Sequence, residues 1–152
     1  MSMTLNDVLT RQNVFTKIML KDNDKELSKE LKVKIMRIRM AYTKIKKNFD
    51  TEVQEFTEQL IPEELRTLAS KERTDVEEVR FIELSNKVNA EYQEFLIQKG
   101  NEEISDIIDD SLTMDEYSDI VDINAGNDVE INGNQIPAVD FLEVICDLFV
   151  KE

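Results

Sequence analysis

Ten apolar residues follow one another from Leu27 to Leu60 without a break in period: Leu27, Leu31, Ile35, Ile38, Tyr42, Ile45, Phe49, Val53, Phe56 and Leu60. Successive steps are three or four residues, about 3.67 on average, the repeat of one helix face. The spacing predicts a single helix over 24–61, opened by a reciprocal capping box between Asn23 and Glu26. At 1.5 Å rise per residue such a helix would be roughly 55 Å long, more than a compact domain of this size is wide. A stripe of that length needs partners along all of it, and the rest of the chain has to supply them.

The partner for its second half follows at once. Ile61-Pro62-Glu63-Glu64 stops the helix and starts a short one, running to about Lys71, with proline at the first helical position and two glutamates to complement the dipole. Thr74 and Glu77 form a second capping box, opening a helix that runs to Lys99 and stops at Gly100. Its stripe is Phe81, Leu84, Val88, Tyr92 and Phe95. Two stripes joined through a short tip predict an antiparallel helical hairpin with aromatic rings in a common seam. Ahead of it, Thr4 precedes a helical pattern of Leu5, Val8, Leu9, Phe15, Ile18 and Met19, with Asp7 in the first turn. Polar interruptions at Arg11, Gln12 and Asn13 leave two readings open: a helix on its own chain, or an arm docked on a neighbouring subunit.

Beyond Gly100 the period changes. Residues 101–117 are acidic and weakly periodic despite Ile104, Ile107, Ile108 and Leu112, and read as a partly ordered connection. Ile120, Val121 and Ile123 suggest a strand, and Asn124-Ala125-Gly126-Asn127 a turn. Val129, Ile131 and Ile136 flank Asn132-Gly133, a strong hairpin signal that would pair Ile131 with Asn134 and Val129 with Ile136. Pro137 opens a last helix, from Ala138 to about Val150, whose apolar positions reach most of the way round: Val139, Leu142, Ile145, Cys146 and Phe149, with Phe141, Val144 and Leu148. The fold expected is mainly α with α+β character: a long antiparallel helical hairpin with a small C-terminal β-hairpin plus helix. Its parts are an N-terminal helix or arm (1–22), the helical hairpin (23–100), an acidic connection (101–117) and a small α+β unit (118–152).

Signals for chemistry are missing from this chain. There is no histidine, which removes the commonest general base, the usual zinc ligand and every Ser-His or Cys-His arrangement. Gly100, Gly126 and Gly133 are too far apart to cradle a phosphate. Cys146 has no cysteine to pair with inside the chain, and its apolar surroundings read as those of a small buried hydrophobe. Asp109-Asp110 and Asp115-Glu116 read as solvated charges. Asp128-Val129-Glu130-Ile131-Asn132-Gly133 matches the opening of a calcium loop, but Val139 stands where a bidentate glutamate should close the sphere. The β-hairpin accounts for the same residues. No catalytic residue, cofactor or metal is expected, and the chain reads as non-enzymatic.

What remains is charge. The net charge of −14 is unevenly spread: residues 21–47 carry ten basic and four acidic side chains, net +6, while residues 102–152 carry one basic and fifteen acidic, net −14. Lys25, Lys29, Lys32, Arg39, Lys46 and Lys47 cluster on the wheel face of the long helix away from its core stripe. On that side too stand Val33, Met36 and Met40, at i, i+3 and i+7. A helix apolar on two sides should be covered on two sides, either by the N-terminal helix or by another chain, and methionines suit an adaptable interface. Nucleic acid is disfavoured as the partner, because no glycine-rich or aromatic recognition element is present and the acidic C-terminal third would repel a polyanion. The partner expected is a protein with an acidic surface, either this chain's own or that of the next copy. No run of 18 apolar residues exists, and no positive region followed by an apolar run opens the chain, so neither a membrane span nor a secretory signal is expected.

A Lys-rich helical hairpin (24–99), an acidic connection, and a terminal Ile-rich hairpin with a Pro-initiated helix (128–150) resemble the small accessory proteins of tailed bacteriophages. The Ile/Asn/Lys/Glu-rich composition is similar to that of proteins from phages of low-GC gut bacteria, including the crAss-like group. The likeness spans most of the chain and rests on no diagnostic motif, so it transfers no site residue. It implies a multi-copy head, neck or tail component within a larger symmetric assembly, found in the virion or the host cytoplasm. The alternatives are a soluble assembly chaperone or adaptor that does not stay in the particle, and a nucleic-acid-binding regulator acting through the basic face.

Overall fold

A computed structural model describes residues 2–151. In chain order its elements are β1 (Met3–Thr4), α1 (Leu5–Lys17), β2 (Lys21–Asp22), β3 (Lys25–Glu26), α2 (Lys29–Leu60), α3 (Glu63–Ala69), α4 (Asp75–Gly100), β4 (Glu103–Ile104), α5 (Met114–Asn124), β5 (Val129–Ile131), β6 (Asn134–Ile136) and α6 (Ala138–Phe149). The protein is mainly α with short antiparallel strand pairs, as expected. It divides into two compact units. The first unit comprises the chain up to Lys46 and again from Ile104 onward, and the second is Lys47–Glu103. The long helix α2 contributes to both.

The first unit is built from the two ends of the chain. Thr4 caps α1: its hydroxyl accepts from the Asp7 N–H, and the Asp7 carboxylate accepts from the Thr4 N–H, each at 3.2 Å. Leu5, Val8, Val14 and Phe15 are buried, so α1 packs on its own chain and is not a free arm. The long helix starts later than its apolar period suggests. Asn23 is not a cap but sits at positive φ (53°) in the turn of a small hairpin that pairs Lys21 with Glu26 and Asp22 with Lys25. Asparagine tolerates that left-handed conformation better than most residues. Ser28 then opens α2, its hydroxyl accepting from the Leu31 N–H at 3.2 Å, while Leu27 is buried from just outside the helix.

The C-terminal region differs from expectation in two places. Residues 118–124 are helical, not a strand: Thr113 and Glu116 form a capping box at 3.1 and 2.9 Å that starts α5. Ile120, Val121 and Ile123 lie within four positions and fit either period, and the cap decides between them. The acidic stretch before it is also more than a connection. Ile107 and Leu112 enter the core, and Leu112 is tied to the last turn of the chain by hydrogen bonds to the Phe149 carbonyl (2.8 Å) and from the Lys151 N–H (3.2 Å). The β5–β6 hairpin has the expected register, Val129 with Ile136 and Ile131 with Asn134, over a turn with positive φ at Asn132 (52°) and Gly133 (80°). Pro137 leads into α6, and the Asp128 carboxylate accepts from the Ala138 N–H at 3.0 Å, so the first acid of the calcium-like hexapeptide caps a helix.

These pieces meet in one core. Val8 and Phe15 of α1, Ile35, Ile38 and Tyr42 of α2, Ile120 and Ile123 of α5, and Phe141, Ile145 and Phe149 of α6 belong to the same buried cluster. The Phe149 ring meets Phe15 edge-on, centroids 4.4 Å apart, and Tyr42 flanks Phe15 at 6.3 Å. The N-terminal helix and the C-terminal α+β segment therefore share one interior.

The second unit is the helical hairpin. Phe56 of α2 stacks on Phe95 of α4 with centroids 4.0 Å apart and planes 5° from parallel, and Glu52 pairs with Lys99. Four residues back in α2 correspond to four residues forward in α4, which is an antiparallel pairing. Leu65, Leu68 and Leu84 form a small core where α3 meets α4. Pro62 stands at the N-cap of α3, one position earlier than expected, and the Thr74–Glu77 box opens α4 as expected, at 3.1 and 3.3 Å. Phe49 and Phe95 are only half-buried, so the seam is thin. Among the described residues, no helix is long and apolar enough to cross a membrane.

Candidate partner-binding face

From Lys29 to Lys46, α2 buries Leu31, Ile35, Ile38 and Tyr42 on one side. Val33, Met36 and Met40 therefore face the other way, and they are 39, 49 and 70% exposed. The N-terminal helix does not cover them. It lies instead along the flank of α2 marked by Arg39, whose Nε donates to the Phe15 carbonyl at 2.8 Å and whose terminal nitrogen donates to the Ile18 carbonyl. Those carbonyls end α1, so the guanidinium acts as its C-terminal cap, and burial lowers its pKa. Arg39 is thus withdrawn from the set of partner-binding cations.

The other members sort by position. Lys29 is exposed and shares the wheel direction of Met36 and Met40. Lys32 is half-exposed on one flank and pairs with Glu26 of β3 at 3.1 Å, a surface contact of small energy. Lys25 is elsewhere, lining a cleft of about 480 Å³ with Asp24, Glu26, Asp119 and Asp122. Lys46 is half-buried, and Lys47 is exposed but belongs to the second unit. Two cations outside the set expected from sequence belong on this face. Arg37 and Lys44 are exposed, each four residues after an outward apolar residue (Val33 and Met40), and neither has an ion pair among the described residues. That i, i+4 relation is readable from the sequence alone. The assembled face is Val33, Met36 and Met40 set among Lys29, Arg37 and Lys44.

Opposite charge collects on α6. With Phe141, Leu142, Ile145 and Phe149 in the core, Val139 (64% exposed) and Val144 (41%) turn outward among exposed Asp140, Glu143 and Asp147. Tyr117 senses this surface. Its hydroxyl donates to the Leu142 carbonyl at 2.8 Å, and its pKa is raised by burial and then by Cys146, Glu143 and Asp147.

Asp110 and Glu116, expected to be solvated, are not. Asp110 is buried, 1% exposed, and accepts from the Arg11 guanidinium and the Tyr42 hydroxyl, each at 2.5 Å. Burial, followed by this carboxylate, raises the Tyr42 pKa. Arg11 also lies over the Phe149 ring, 5.2 Å from its centroid. No buried side-chain polar atom is left without a partner among the described residues, which marks the cluster as a closed structural tie and not as a poised site. Glu116 is half-buried. Burial opposes its charge, but Lys34 at 2.7 Å and the Thr113 N–H outweigh this and lower its pKa.

Among the described residues, no three His, Cys, Asp or Glu side chains are grouped to hold a metal ion. A groove of about 330 Å³ in the second unit, between Leu60, Ile61 and Leu65 on one side and Val88 and Tyr92 on the other, is mostly apolar and carries no titratable cluster. What the geometry offers, then, is a basic, partly apolar face on α2 and an acidic one on α6. No known protein family, no curated protein and no solved structure matches this chain.

Proposed function

We propose that this protein is a non-enzymatic docking component of a larger protein assembly, and that the assembly is a phage particle carrying it in several copies in its head, neck or tail. The observation that carries this reading is the exposure of Val33, Met36 and Met40 on the stretch of α2 whose opposite side forms the core. An apolar seam held on a core helix is pre-organised, so little ordering entropy opposes its burial. Fully burying a methionine or valine side chain contributes roughly 1.5–3 kcal/mol, and three partly exposed ones contribute a few kcal/mol together. That is too little for a tight one-to-one complex and enough for a subunit held at many equivalent places. The surrounding cations supply orientation and encounter rate toward an acidic partner.

A second reading, a soluble assembly chaperone or adaptor, draws support from the second unit. Its seven basic and fifteen acidic side chains, net −8, would keep a bound partner surface in solution. Mass spectrometry of gradient-purified particles separates the two. The docking reading expects the chain in intact particles at stoichiometric multiples, and the chaperone reading expects it in assembling lysate and not in finished particles. Absence from both would overturn the assembly role.

A further inference from the structure

The acidic face of α6 matches the basic face of α2 in chemistry and in spacing. Arg37 and Lys44 on α2 are seven residues apart, as are Asp140 and Asp147 on α6, so both pairs repeat at about 10.5 Å along a helix. Beside the cations α2 exposes Val33, Met36 and Met40, and on α6 the exposed Val139 and Val144 flank the two aspartates on either side. None of the four charged groups has an ion pair among the described residues, so each helix presents its charges unused.

We infer that a second copy of this chain is the occupant of the α2 face, docking its α6 so that Asp140 and Asp147 meet Arg37 and Lys44 and one of the flanking valines meets the methionines. The inference rests on the docking reading above and names its partner. The two surfaces are different patches of one chain, so the contact is heterologous: each copy that uses its α2 face leaves its α6 face open, and association continues until a ring closes or a filament forms. The net charge of −14 opposes this at a distance. At about 0.15 M salt, screening over roughly 8 Å suppresses that repulsion and leaves the close pairs, whereas at about 1 M the screening length of roughly 3 Å weakens the pairs themselves. Self-association should therefore be strongest at intermediate salt. Association driven by apolar contact alone would instead strengthen as salt rises.

The test is sedimentation velocity of the full chain from about 10 to 500 µM, a range that brackets a weak contact. Arg37→Glu with Lys44→Glu makes both faces acidic, and Asp140→Lys with Asp147→Lys makes both basic. All four positions are exposed, so each variant should fold, and circular dichroism is the check that it does. The wild type should form concentration-dependent oligomers at intermediate salt, each variant alone should stay monomeric, and an equimolar mixture should regain oligomers, because every acidic face then finds a basic one. A monomeric wild type across concentration and salt overturns the inference, and so does a mixture that stays monomeric. If the wild type is monomeric but purified particles still bind it in a manner lost in Met36→Asp, self-docking falls and the docking reading stands. If particles do not bind it either, both fall.

Discussion

Replacing Asp110 with alanine would strip two donors of their acceptor at once. Tyr42 is fully buried, so its hydroxyl has no water to turn to, and a buried donor left unpaired costs about 1–3 kcal/mol. The Arg11 side chain is 20% exposed and can reorient into solvent, so the loss of its charged hydrogen bond is discounted to about 1 kcal/mol. The two sum to about 3 kcal/mol. Because the chain has two units, a global melt would blur the effect, and amide exchange in α1 and α6 reads the affected unit directly. The protection of the Phe15 and Phe149 amides should fall roughly a hundredfold in Asp110→Ala, with amides of α4 unchanged. Tyr42→Phe should cost about 1 kcal/mol, and the double variant should show coupling, because both changes remove the same bond. A change of threefold or less at Phe15 and Phe149 would refute the claim that this tie holds the two ends of the chain together.

Three further outcomes follow from the same structure. The folded state holds the Tyr42 proton above its ordinary pKa of 10.0, so stability is fully present below that value and is lost as pH rises beyond it, when the unfolded chain ionises first. Alkaline melts of Tyr42→Phe should show a shallower pH slope than wild type, not a flat one, since Tyr117 is also raised, and equal slopes would contradict the assignment. Gly133 has positive φ (80°) and open space where a methyl group would stand, so the cost of substitution there lies in the backbone: Gly133→Val should lose about 1–2 kcal/mol by denaturant melt and Gly133→Asn much less. Equal losses for the two would mean that the turn does not require a left-handed residue. Phe95→Ala should cost about 2 kcal/mol, below the roughly 3–5 of a fully buried ring, because the Phe56–Phe95 stack is half-exposed, and a loss under about half a kcal/mol would place the ring outside the seam.

The regions of the fold legible in the sequence are those whose signal is local. A stripe sustained from Leu31 to Leu60, a capping box at Thr74 and an Asn-Gly turn each constrain their own neighbourhood, and each appears in the structure. The features that escape a sequence reading depend on partners far away in the chain. Asp110 resembles any acid in an acidic run until Arg11 and Tyr42, 99 and 68 residues away, are brought to it. A helical wheel gives the direction of Arg39 but not the end of α1 that it caps. The α5 helix is hidden differently: Thr113 and Glu116 carry its cap in plain view, but the apolar cluster Ile120–Val121–Ile123 has the look of a strand. The docking face is half legible. Its apolar centre and the i, i+4 placement of Arg37 and Lys44 follow from the sequence, while the use of Arg39 at the end of α1 and the place of Lys25 in a cleft show only in the fold.

The docking face itself is best tested by competition within one particle preparation. Wild-type chain and a Met36→Asp, Met40→Asp variant, distinguishable by mass, are supplied in equal amounts during assembly, and their ratio is read in purified particles. Both positions are about half exposed or more, so the variant should fold with α1 and the core intact. Loss of two apolar contacts and burial of two carboxylates should favour the wild type by tenfold or more, equivalent to about 1.4 kcal/mol. Incorporation of both chains in equal amounts, with the variant shown to be folded, would contradict the account.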